Sequence, residues 1–173
     1  MEAKQTELKE WSTRQVYTEL EDTGQNCISL RWVVKEKPNE DPNSKPNIKA
    51  RLCARGFEED KDFRTDSPTC SREGLRMSLA LIASKGWDIR SLDVKTAFLQ
   101  GNPMERTVYV LPPKEAQTTK IWLLNKCVYG LGDASRYWYL KVREVLLKLG
   151  ARSSSLDQGL FTIYKNETMI GVF

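Results

Sequence analysis

Residues 87–92, Trp-Asp-Ile-Arg-Ser-Leu, alternate apolar and polar, a period of two that predicts a half-buried strand ending at Asp93. Two further β-rich runs, 28–37 and 48–57, flank the Pro- and Asn-rich stretch 38–47, so they read as a hairpin with a long tip. In the second run Lys49, Arg51 and Arg55 fall on odd positions and Ala50, Leu52 and Ala54 on even ones, which aims the three cations at one face. Short strands are expected at 16–20, 108–111 (stopped by Pro112 and Pro113) and 121–124, and a final hairpin at 159–173 turning over 165–167. Helical spacing takes over at 72–85, where Leu75, Leu79, Ile82 and Ala83 share a side and Gly86 closes the helix. It returns at 135–149, with Tyr139, Val142, Leu146 and Leu149 as the apolar face, Asp133 or Ser135 as cap, and Lys141, Arg143 and Lys148 outward. Residues 2–13 make only a weak amphipathic helix.

Charge sharpens this pattern. The chain carries 27 Lys and Arg against 23 Asp and Glu, a net charge of +4. Residues 31–57 hold Arg31, Lys35, Lys37, Lys45, Lys49, Arg51 and Arg55 against Glu36, Glu40 and Asp41, while 1–30 and 58–70 are acidic. A basic ribbon between acidic segments suits a phosphate backbone or a triphosphate, and equally suits a solvated hairpin face. Hydrophobic residues make up 40% of the chain and charged ones 29%, and no apolar run approaches the ~20 residues of a membrane span, so a globular, membrane-free protein is expected. The start of the chain shows no secretory leader, which predicts an intracellular setting, cytoplasmic or nuclear.

The composition also removes chemistries. There is no histidine, so His-based acid–base work and His-containing triads are excluded. Cys27, Cys53, Cys70 and Cys127 lack the short spacing of a zinc or redox pair and are expected as free thiols. Carboxylates with metal remain, and Asp93 is the leading candidate: a carboxylate at a strand end, with Phe98 following, suits a divalent cation and an aromatic packed on a sugar. An ordinary strand-end Asp capping the next turn is the competing reading.

Three blocks carry more information together than singly: Lys-Ala-Arg-Leu-Cys-Ala-Arg-Gly-Phe at 49–57, Leu-Asp-Val-Lys-Thr-Ala-Phe-Leu-Gln-Gly at 92–101, and Leu-Asn-Lys-Cys-Val-Tyr-Gly-Leu at 124–131. In order and spacing they resemble the reverse transcriptase of copia-type long-terminal-repeat retrotransposons, from about Trp32 to Phe173, including Phe161 and the turn at Tyr164. The resemblance implies an RNA-directed DNA polymerase working by a two-metal mechanism, with Mg2+, or Mn2+, held in the complete protein by Asp93 and the backbone carbonyl of Val94. It implies that Lys49 or Arg51, with Arg55, lie over the incoming triphosphate and that Phe98 crowds its 2′ position. The implied partners are an RNA or DNA template with primer, deoxynucleoside triphosphates and the rest of a retrotransposon polyprotein. Two departures stand out. Where the family reads Lys-Gln-Ala-Pro-Arg, this chain has Gly132, Asp133, Ala134, Ser135 and Arg136, which puts a repelling carboxylate at a pocket position. The family's paired aspartates would follow Phe173, so the resemblance predicts a truncated chain, inactive alone.

The expected fold is therefore α+β, a partial polymerase palm and fingers: residues 1–30 as a lead-in and 31–173 as fingers and incomplete palm. A strand ending in a metal carboxylate has to lie beside the strand bearing its partners. That predicts a mixed, mostly antiparallel sheet with 88–93 central, the 159–173 hairpin beside it, and helices 72–85 and 135–149 on one face. The three hairpin cations should project toward the Asp93 end, within roughly 15 Å on extended-chain dimensions. Alternatives are a non-catalytic nucleic-acid-binding remnant or domesticated module, a plain α+β domain in which Asp93 and Lys49 are structural, and, remotely, a hydrolase using Asp88, Asp93 and Asp133.

Overall fold

A computed structural model describes residues 2–38, 46–60 and 62–173; most of the hairpin tip expected at 38–47 lies outside the described residues. Three helices, α1 (Glu2–Thr13), α2 (Arg72–Lys85) and α3 (Ala134–Lys148), accompany nine strands. The strands are β1 (Tyr17–Leu20), β2 (Cys27–Ile28), β3 (Leu30–Lys37), β4 (Asn47–Ala54), β5 (Tyr109–Val110), β6 (Ile121–Leu124), β7 (Ala151–Ser153), β8 (Phe161–Lys165) and β9 (Thr168–Val172). The fold is α+β, but its strands form three sheets where the sequence pattern suggested one. These are a mixed sheet in the order β1-β6-β5-β2, the hairpin β3-β4, and the antiparallel sheet β7-β8-β9.

The core gathers around Trp11, Val16, Leu52, Val110, Trp122 and Val128, all essentially inaccessible. Tyr17 stacks on Trp122 with ring centroids 3.8 Å apart, and Trp11 tilts against the same indole at 6.0 Å. The first 30 residues thus share a core with residues far along the chain, because β1 pairs with β6 and β2 runs parallel to β5. Glu7 of α1 is buried against β4. One of its oxygens accepts from the Leu52 amide (3.3 Å) and from the Trp11 indole (3.4 Å), so a helix side chain satisfies a strand-edge donor that burial would otherwise leave unpaired.

Ser71 caps α2 by accepting from the Gly74 amide at 2.9 Å, and Gly86 ends it in the left-handed conformation, as the sequence signals predicted. The apolar side of α2 stays uncovered: Leu75, Met77 and Leu79 are exposed, and the buried members of the helix are Gly74 and Ser78. Nor do α2 and α3 lie together on one sheet face: α3 lies on β7, whereas α2 makes no comparable contact with any strand among the described residues.

The largest correction concerns residues 88–93, which form no strand. Alternation marks which side chains are fit to face a core, but a strand also needs a ladder for its amides and carbonyls. A cleft of about 370 Å³ separates Trp87 and Asp88 from Ile170, Gly171 and Val172 of β9. The segment is extended and solvated, with Ile89 66% and Leu92 94% exposed. Asp93 therefore ends an unpaired stretch beside the final hairpin, and is not the end of a central strand.

Candidate functional site

Two glycines join the first and third sequence blocks. A Cβ on Gly56 would stand 2.3 Å from the Gly130 carbonyl oxygen, and one on Gly130 would stand 1.9 Å from that of Ala54. Gly130 also has φ +97°, a conformation that favours glycine. The two backbones touch, and the Ala54 amide donates to the Tyr129 carbonyl at 2.7 Å. This junction sets the Tyr129 ring against the outward face of β4.

Three side chains meet there. The Arg51 guanidinium lies 5.1 Å from the centre of the Tyr129 ring, a cation–π arrangement, and Phe98 meets the ring edge-on at 4.8 Å. Burial pushes the Tyr129 phenol above its ordinary pKa, and the negative charges of Glu7 and Asp93 push the same way against Arg51. Just after Asp93, Val94 leads into a turn at Lys95 and Thr96, with Thr96 left-handed at φ 50°, and then into a single 3-10 turn over Ala97–Gln100. That turn anchors on fully buried Leu99, which holds Phe98 half-buried toward Tyr129.

The hairpin supplies positive charge from one face. Ala50, Leu52 and Ala54 are buried while Lys49 and Arg51 are exposed, as period-two geometry requires. Lys35 sits directly opposite Lys49 in the ladder, and Arg51 is opposite Val33. Like charges facing across a pair are unfavourable unless an anion or solvent compensates them. Lys49 also shares a groove of about 790 Å³ with Lys95 and Thr96, so the hairpin does reach the segment that follows Asp93. Arg55 lies just past the last ladder pair, is exposed, and has its guanidinium 3.8 Å from Glu58.

Asp133 is 2% exposed, and both its oxygens accept from Arg106, at 2.7 and 2.8 Å. Glu59 pairs with the same guanidinium, which lies 4.2 Å from the centre of the Phe63 ring. The repulsion expected from a bare carboxylate is compensated by a half-buried arginine. Arg106 escaped sequence reasoning because nothing in its spacing links residues 59, 106 and 133. Tyr129 was visible within the third block, but only the glycine contact shows that its ring is the meeting point. The outward cations of α3 are fewer than its sequence suggests, since Lys141 and Lys148 both pair with Glu144.

These contacts define an α+β domain in which a cationic hairpin and an aromatic pair face each other across a glycine-tight junction. The family model for reverse transcriptase (RNA-dependent DNA polymerase) matches residues 15–173, and the chain belongs to that family. It is 32% identical over 149 residues to the Retrovirus-related Pol polyprotein from transposon RE2 of Arabidopsis thaliana, a match covering 83% of this chain and 10% of the relative. It is 34% identical over 149 residues to the corresponding polyprotein from transposon TNT 1-94 of Nicotiana tabacum, covering 82% and 11%. To the Transposon Ty1-LR2 Gag-Pol polyprotein of Saccharomyces cerevisiae it is 26% identical over 144 residues, covering 82% and 8%. The resemblance to copia-type retrotransposon sequences is borne out, and the chain spans about a tenth of the length of the curated relatives it matches. No solved structure matches it. Among the described residues, no helix is long and apolar enough to cross a membrane.

Proposed function

We propose that this chain is the fingers and incomplete palm of a retrotransposon reverse transcriptase, with 31–173 as that unit and 1–30 leading into it through the shared core. The observation that carries the reading is the convergence of Arg51 and Phe98 on Tyr129, with Asp93 on the segment that leads into the Phe98 turn. In the complete protein the reaction is template-directed nucleotidyl transfer from deoxynucleoside triphosphates to a primer on an RNA or DNA template.

Each residue has a role its surroundings support. Arg51 and Lys49 neutralise and orient the triphosphate, with Arg55 as a further, more distant cation. Phe98, held by Leu99, stands where it can crowd the 2′ position of the incoming sugar. The exposed Asp93 carboxylate and the Val94 carbonyl are hard oxygen donors of the kind Mg2+ or Mn2+ takes, and they form part of a ligand set. Divalent ions, when bound, activate the primer hydroxyl and steady the leaving pyrophosphate. Asp133 acts at a distance, fixing the start of α3 through Arg106.

The test uses the isolated chain and a longer polypeptide of the same polyprotein. The isolated chain should bind primer–template weakly and salt-sensitively without extending it, because Mg2+ gives up water reluctantly and one carboxylate leaves it mostly hydrated. The longer polypeptide should extend a primer, and Asp93→Asn should abolish extension there; full activity of that variant would remove Asp93 from the site. A second reading, a binding module without chemistry, draws on the Lys35, Lys49 and Arg51 face alone. It predicts salt-dependent binding that is indifferent to magnesium in both polypeptides.

A further inference from the structure

A second cationic cleft lies away from Tyr129, between α3, the 64–66 loop and the start of the β7-β8 turn. Its volume is about 400 Å³, and Arg64, Arg136, Arg143 and Ser153 to Ser155 line it. Arg136, Leu140 and Arg143 fall at i, i+4 and i+7 along α3, one stripe of the helix. The cleft contains one acid, Asp66. Its carboxylate takes Arg64 at 2.9 and 3.0 Å and Arg136 at 2.7 Å, so two guanidinium groups share one negative charge. Arg143 is exposed and, among the described residues, enters no ion pair, although its helix neighbours Lys141 and Lys148 are both held by Glu144. Asp66 thus fixes two guanidinium groups and leaves the cleft with an excess of two positive charges. Hydroxyls line the other wall. Ser154 accepts amides from Leu156 and Asp157 at 3.2 Å each, which leaves its O–H free to donate.

An arginine cluster with hydroxyl donors and a surplus of charge matches the oxygens of a phosphate. The cleft shares Arg64, Arg136 and Leu140 with a neighbouring hollow lined by Phe63, Arg106, Tyr137 and two acids, Glu105 and the Arg106-paired Asp133, so it opens into a track along α3 and is not a closed pocket. A track fits a chain of phosphates better than a single small anion. The geometry points to a second nucleic-acid site, in which Arg143, with Arg64 and Arg136, grips the sugar–phosphate backbone of a single strand outside the Tyr129 group. The identity of the ligand rests on the polymerase reading; the site itself does not.

The experiment is fluorescence anisotropy of the 173-residue chain with a short labelled oligothymidylate across a salt series, comparing Arg143→Glu, Arg143→Lys and Lys49→Glu/Arg51→Glu. Arg143 is exposed, and circular dichroism checks that each variant stays folded. Arg143→Glu should weaken binding about fivefold or more at low salt and reduce the salt slope by about one, while Arg143→Lys keeps both near wild type. The hairpin variant should weaken binding separately, and the two effects should multiply in the combined variant, as for independent sites. Unchanged affinity and slope in Arg143→Glu, with loss in the hairpin variant, overturns the second site alone. Loss in Arg143→Glu with none in the hairpin variant supports the cleft and counts against the Tyr129 reading. No binding of the wild-type chain at low salt overturns both. Binding of a phosphoserine peptide through Arg143 with no oligothymidylate binding overturns the nucleic-acid assignment.

Discussion

Replacing Gly130 by alanine tests the junction on which the candidate site depends. The new methyl would point at the Ala54 backbone, 1.9 Å from its oxygen, 3.0 Å from its carbonyl carbon and 3.1 Å from its nitrogen, none of which can rotate away. A residue with a Cβ at φ +97° costs about 1–3 kcal/mol in backbone strain alone. Relieving the contact requires the loop to shift by roughly an ångström, which breaks the 2.7 Å bond from the Ala54 amide to the Tyr129 carbonyl. Leaving those groups unpaired adds about 1–3 kcal/mol. The expected loss is therefore about 2–6 kcal/mol, a large share of the 5–15 kcal/mol typical of a domain. Urea unfolding followed by tryptophan fluorescence measures it, since Trp11 and Trp122 are buried in the core that the junction abuts. Gly86→Ala is the control: its φ is also positive, +63°, but nothing lies within 4 Å of the added methyl, so the cost should be only about 1 kcal/mol. Equal midpoints for the two variants would refute the argument that backbone contact, and not positive φ, makes Gly130 indispensable.

Other consequences follow from buried and paired charges. Arg106→Ala should destabilise the chain by about 3–5 kcal/mol by stranding Asp133 and Glu59, whereas Arg106→Ala combined with Asp133→Asn should recover part of that loss in the same unfolding assay. Hydrogen bonds from Lys4 and Trp32 hold Glu115 down to about 2, so its stabilising contribution is present above its ordinary 4.5 and is lost as pH falls from there toward 2; the stability gap between wild type and Glu115→Gln should close over that window. Glu7 has the opposite sign, its carboxyl pushed up mainly by burial: ionising it costs stability as pH rises through its folded value, so Glu7→Gln should gain on wild type between pH 4.5 and neutrality. In the longer, extending polypeptide, Phe98→Ala should raise ribonucleotide incorporation relative to deoxyribonucleotide, read by primer extension with each substrate; an unchanged ratio would remove Phe98 from sugar selection.

Local chemistry was legible where the chain decides its own structure. Ser71 and Gly86 bracket α2, the outward cations of β4 follow its alternation, and the turn before β9 places Asn166 and Glu167 at positive φ, as a tight hairpin asks. What the sequence pattern missed depends on partners far along the chain. Residues 88–93 carry a strand's alternation but have no ladder, and α2 carries an apolar side that nothing among the described residues covers. Ala151–Ser153 is too short and mixed to announce itself, yet pairs with β8 once α3 brings it alongside. In the candidate site, Arg51 and Phe98 were each readable from the sequence, and the Tyr129 ring that both meet needed the Gly56–Gly130 contact.

The unpaired stretch 87–94 has a consequence for how the molecule can be handled. Extended, exposed backbone is what a protease accepts, and Arg90 offers trypsin a cut in the middle of it. Such a nick would divide the sequence without dividing the molecule. β1 and β2 come from one side of the cut and β5 and β6 from the other, yet they share one sheet. The Ala54–Tyr129 bond and the grip of Asp157 on Ser71 also span it. The two pieces are interleaved rather than adjacent, so a chain divided at Arg90 should reassemble from separately made halves, with Tyr129 contributed by one half and Arg51 by the other.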